Sequence, residues 1–61
     1  MYALDIYRYE DSAMELIRTE FFDTLDEAVA ATESLKADGV RMAIFETTGE
    51  PGDEGKVVAD F

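Results

Sequence analysis

The 61-residue chain suffices for one small domain, 1–61, and contains neither cysteine nor histidine, which excludes disulfide staples and the usual structural zinc sites. A domain of this size buries only about 60% of the surface its unfolded form exposes, so either its packing is very regular or it self-associates. Fifteen acidic residues against five basic ones leave a formal net charge of −10, which opposes contact with phosphate backbones or anionic lipid and favours basic partners.

Residues 2–9 alternate, with Tyr2, Leu4 and Ile6 on one face and Ala3, Asp5, Tyr7 and Tyr9 on the other, the period of a half-buried strand. Glu10, Asp11 and Ser12 are polar and have the length of a hairpin connection. A second strand follows from Ala13 to about Phe22. Its pattern slips, because Met14 and Leu16 share a parity that Ile17, Thr19 and Phe21 do not. Either a bulge lies near Leu16 and Ile17 or both faces of this strand are partly covered.

Residues 24–39 carry the signals of an amphipathic helix. Thr24 followed by Glu27 forms a capping box, in which the hydroxyl takes the Glu27 N–H and the carboxylate reaches back to the Thr24 N–H. Asp26 and Glu27 favour the positive end of the helix dipole. Leu25, Ala28, Val29, Thr32 and Leu35 recur at helical spacing and predict the inward stripe, with Phe22 closing the bottom of the core. Gly39 is expected to end the helix as its left-handed residue.

A third strand is predicted over 40–47, and its continuous apolar run from Met42 to Phe45 suits an interior position. Residues 48–55 hold three of the four glycines and the single proline, the composition of a loop. The last strand covers 56–61, with Val57, Ala59 and Phe61 expected on one face. The resulting fold class is α+β: a two-layer ββαββ arrangement with one helix packed on a four-stranded antiparallel sheet. Orders 2-1-3-4 and 1-2-4-3 both keep every neighbouring pair antiparallel. The first is preferred because Glu15, Arg18 and Glu20 give the second strand the charges of an exposed edge.

The chain shows no signal-peptide or membrane-spanning pattern, and a cytoplasmic location is expected. Without histidine or cysteine the usual pairs of nucleophile and base are missing. Gly49, Gly52 and Gly55 are interleaved with Glu50, Asp53 and Glu54, which repel a phosphate. No catalytic role, cofactor or metal is therefore expected. The EF-hand spacing of carboxylates is also absent.

Two constellations remain as candidate partner-binding sites. The topology brings the helix start and the second hairpin tip to one end, collecting Asp23, Asp26, Glu27, Glu46, Glu50, Asp53 and Glu54. On the sheet face away from Leu4 and Ile6 lie Tyr7 and Tyr9, which Ile17 or Phe21 and Phe45 or Val58 could join. Tyrosine, with an apolar body and a polar tip, is enriched at protein interfaces. A base-stacking sheet needs accompanying basic residues, and here Arg8, Arg18 and Arg41 are outnumbered. The expectation is a non-enzymatic protein-interaction module that engages a basic or apolar protein surface, or a second copy of itself as a homodimer. Direct contact with nucleic acid or membrane is not expected. The alternative is an acidic mimic of nucleic acid, of the kind phages encode, that occupies a basic groove of a DNA- or RNA-handling protein.

Overall fold

A computed structural model describes residues 1–52 and 55–61. The chain runs through β1 (Tyr2–Glu10), β2 (Ala13–Phe22), α1 (Leu25–Leu35), β3 (Val40–Glu46) and β4 (Lys56–Asp60). The four strands form one antiparallel sheet in the order β2-β1-β3-β4, with the helix packed on one face. Apolar β1 and β3 occupy the interior, and charged β2 lies at an edge. Fold class and strand order agree with the sequence reading.

The first connection is a two-residue hairpin turn in which Asp11 and Ser12 both have positive φ, 51° and 65°. That conformation matches the twist of the flanking strands, but it is one that L-residues other than Asn, Asp and Gly rarely adopt. Five residues beyond the turn, β2 carries an extra residue. Ile6 lies opposite Arg18 and Tyr7 opposite Leu16, so Ile17 is left without a partner on β1. This bulge explains the slip in parity: before it Met14 and Leu16 follow Tyr9 and Tyr7, and after it Thr19 and Phe21 follow Asp5 and Ala3.

The helix-side core is small. Leu4, Ile6, Met42, Ile44 and Ala28 are buried, with Tyr2, Phe22, Val29, Ala31, Leu35, Val40 and Ala59 packed around them. The helix residues that are fully covered are Ala28 and Thr32, both small. The buried Thr32 hydroxyl donates to the Val29 carbonyl at 2.6 Å, which satisfies it without a partner outside the helix. Leu25, expected on the inward stripe, is instead exposed, because the first turn lies at the margin of the covered area. Eleven helical residues span only about 16 Å, whereas the nine of β1 span about 30 Å. The outer part of the first hairpin, from Arg8 to Ile17, is accordingly exposed throughout.

Both helix ends depart in detail from expectation. At the start, the Thr24 hydroxyl accepts the Glu27 N–H at 3.2 Å and donates to the Glu27 carboxylate at 3.0 Å. The carboxylate thus receives the hydroxyl proton rather than the Thr24 backbone N–H. At the end, the helix stops at Leu35, and Lys36 is already extended (φ −62°, ψ 126°). Gly39, expected as the helix terminator, lies in the next turn, where the Val40 N–H reaches the Ala37 carbonyl at 3.2 Å. Its φ of 79° lets the chain reverse while its carbonyl accepts the Tyr9 N–H at 2.7 Å. Gly39 therefore seats β3 beside β1.

β4 holds a second correction. Ala59 lies opposite Ile44 but Val57 lies opposite Phe45, so Val58 is an extra residue and Val57 and Ala59 point to opposite faces. Beyond the strand, Phe61 and Met42 exchange both backbone hydrogen bonds, at 2.8 and 3.2 Å.

Candidate functional site: an open apolar sheet face

The register places every second residue of the sheet away from the helix. Ala3, Asp5, Tyr7 and Tyr9 run down the middle of this face on β1, and Phe21, Thr19, Leu16 and Met14 lie beside them on β2. On the other side come Phe45, Ala43 and Arg41 of β3, then Val57 and Asp60 of β4. No element among the described residues covers this layer. Met14, Leu16, Phe21, Tyr9 and Val57 are all more than half exposed or close to it, with Phe21 at 61%. A run of side chains this apolar across four strands exceeds the scatter of single exposed residues normal on a protein surface.

The face has relief as well as composition. Ala3 is flanked across the sheet by Phe21 and Phe45, so a small side chain lies between two aromatic rings. Ala3, Phe21 and Phe45 border a hollow of about 290 Å³. A second hollow, of about 450 Å³, lies between Tyr7, Tyr9, Met14, Arg41 and Asp60. Both open onto solvent and have aromatic walls.

At the centre, Asp5 accepts two hydrogen bonds, from the Thr19 hydroxyl at 2.7 Å and from the Tyr7 hydroxyl at 3.2 Å. The carboxylate is thereby held down on the sheet, and the Tyr7 ring is held over the face. Partial burial raises the Tyr7 phenol above its ordinary value of 10.0, and the charge of Asp5 and their hydrogen bond act in the same direction. A raised phenol favours the protonated folded state. The Tyr7 contribution to stability is present in full below pH 10 and is lost as pH rises through the folded-state value. Tyr7→Phe should therefore differ from the parent below pH 10 and converge on it above. Urea titrations of both proteins across the alkaline range check this, and a constant difference at all pH values would separate Tyr7 from the Asp5 hydrogen bond.

The predicted joining residues divide cleanly. Phe21 and Phe45 lie on the open face with Tyr7 and Tyr9, whereas Ile17 and Val58 are the two bulge residues. Leu16, Met14 and Val57 were missed as members. The signal for the first two was the parity slip, since a bulge at Ile17 puts Leu16 and Met14 beside Tyr7 and Tyr9.

The acidic constellation is arranged differently. Glu46 lies opposite Tyr2, which lies opposite Phe22, and the Thr47 N–H donates to the Met1 carbonyl at 2.9 Å. Asp23, Asp26 and Glu27 follow Phe22, so they and Glu46 stand at one end of the sheet. Glu50 borders the smaller hollow, beside Phe45. Asp53 and Glu54 lie outside the described residues. Among the described residues no cluster of three carboxylates comes together in a way that could hold a metal ion, and no helix is long and apolar enough to cross a membrane. No protein-family model, characterised protein or solved structure shows significant similarity to the chain, so the reading of the site rests on its geometry.

Proposed function

We propose that this chain is a non-enzymatic protein-interaction module, working in the cytoplasm, whose contact surface is the open sheet face. The observation that carries the reading is the distribution of side-chain types. Of the thirteen acidic residues among the described residues, the register sets Asp5 and Asp60 on this face, with Glu50 at its rim. Around the hydrogen-bonded Asp5 the residue types concentrated there are Tyr, Phe and Met with a single Arg, the types enriched in protein interfaces. A surface needed only for solubility in so acidic a chain has no reason to gather its aromatic side chains and Met on one face. With neither histidine nor cysteine, the face offers aromatic contact area and no pair of nucleophile and base.

The test is affinity capture on three immobilised proteins: the parent, Leu16→Ser with Phe21→Ser, and Glu50→Gln with Asp53→Asn and Glu54→Gln. The face variant should lose the bound protein and the acid variant should keep it, with binding that does not weaken as salt rises. The reverse pattern, with binding that weakens steeply as salt rises, would instead favour the acidic end and the mimic of nucleic-acid charge.

A further inference from the structure

We propose that the occupant of the open face is a second copy of the same chain, packed sheet against sheet about a two-fold axis, an inference that rests on the face being a contact surface. Three observations select this occupant over an unrelated protein. The first is that, among the described residues, the monomer has a covering layer on one side only. Among the described residues the buried hydrophobic side chains number six, of which one, Ala3, belongs to the open face. Small domains without disulfides or metals commonly obtain the missing burial by oligomerising.

The second observation is area. Strands about 4.8 Å apart and about 3.3 Å per residue make the face roughly 19 Å by 25 Å, or about 500 Å² before the relief of the side chains is counted. Two copies then remove at least about 1,000 Å² from water, the lower bound for a specific interface. Packed sheets stand about 10 Å apart with their inner side chains interdigitated, and the two alanine notches, at Ala3 and Ala43, give the Phe21 and Phe45 rings of an opposing face somewhere to enter.

The third is charge. Arg41 is the one basic residue on the face, and among the described residues the only ion pair is Arg18 with Glu20 at 3.2 Å, on the helix side. Arg41, Asp5 and Asp60 share the face, so a two-fold axis that sets Arg41 of one copy against Asp60 or Asp5 of the other lets one face supply both signs. Most remaining carboxylates stay on the outer surfaces, where their mutual repulsion is screened by salt. Self-association should accordingly strengthen as salt rises, the opposite of a basic partner held by carboxylates.

Sedimentation equilibrium of the parent between low salt and about 0.5 M salt, where screening acts over only ~4 Å, reads this directly. A dimer is expected whose dissociation constant falls as salt is added, with Leu16→Ser plus Phe21→Ser remaining monomeric and Arg41→Asp at least tenfold weaker. A measurement on the unaltered protein guards against a misfolded variant: peroxide oxidation of Met14 should slow severalfold when the chain is concentrated from the monomer to the dimer range. A parent that is monomeric throughout, a dimer whose affinity both variants retain, or Met14 oxidation independent of concentration would each overturn the proposal. If the parent is monomeric but the face variant still loses a captured protein, the dimer fails and the interaction module stands. If neither property depends on the face, both fail.

Discussion

Replacing Ile44 with alanine should abolish or nearly abolish the folded state. Ile44 is fully buried at the centre of β3, between Leu4 on β1 and Ala59 on β4, and under the helix. Truncating such a side chain costs about 2 to 5 kcal/mol. At roughly 0.05 to 0.15 kcal/mol per residue, a chain of this length has only about 3 to 9 kcal/mol in total. Ile44→Val, at about 0.5 to 1.5 kcal/mol, should remain folded and provide the scale. Urea titrations at several protein concentrations check both values. If the chain dimerises through its open face, midpoints should rise with concentration, because association stabilises only the folded form. An Ile44→Ala protein with a cooperative transition near that of the parent would place the energetic centre of the domain elsewhere, in the open-face layer.

What could be read from the sequence was whatever depends on local periodicity. β1 alternates without interruption, β3 is continuously apolar, and Thr24 with Glu27 marks the helix start, so the elements and their order follow from neighbouring residues. Even the edge position of β2 is readable, from Glu15, Arg18 and Glu20. Misreadings arose where one residue serves two local grammars. A glycine after an amphipathic stretch signals a helix end, yet Gly39 lies four residues beyond the helix, where it turns the chain and offers its carbonyl to Tyr9. That contact joins residues thirty positions apart, and no local rule encodes it.

The site was partly legible for the same reason. Tyr7 and Tyr9 followed from the alternation of β1, but Leu16, Met14 and Val57 enter the face only through the bulges at Ile17 and Val58. The anchoring of Asp5 by Thr19 likewise requires the cross-strand register. The acidic end was inferred from topology alone, and the structure sets Glu46 and the residues after Phe22 at that end. The gathering of aromatic side chains and Met on one sheet face emerges only when the register is known.

The second large effect concerns the same register. Gly55→Ala should destabilise by about 2 to 3 kcal/mol, while Gly39→Ala should cost about 1 kcal/mol. The two glycines have nearly the same backbone, φ 77° and 79°, so the left-handed penalty is common to both. They differ in space. A Cβ on Gly39 would stand 3.5 Å from the Tyr9 carbonyl, an ordinary contact, whereas one on Gly55 would meet the Glu46 carbonyl at 3.0 Å, Phe45 Cβ at 3.2 Å and Thr47 Cβ at 3.3 Å. Relief requires the entry to β4 to move away from the end of β3, and Lys56 opposite Glu46 and Val57 opposite Phe45 are the pairs that would give way. Val57 would then leave its place beside Phe45 on the open face, so Gly55→Ala should weaken any contact made by that face as well as the fold. Gly39→Ala should alter stability alone. Equal urea midpoints for the two variants would show that the second hairpin is not closely packed against β3, and the place of Val57 beside Phe45 on the open face would fall with it.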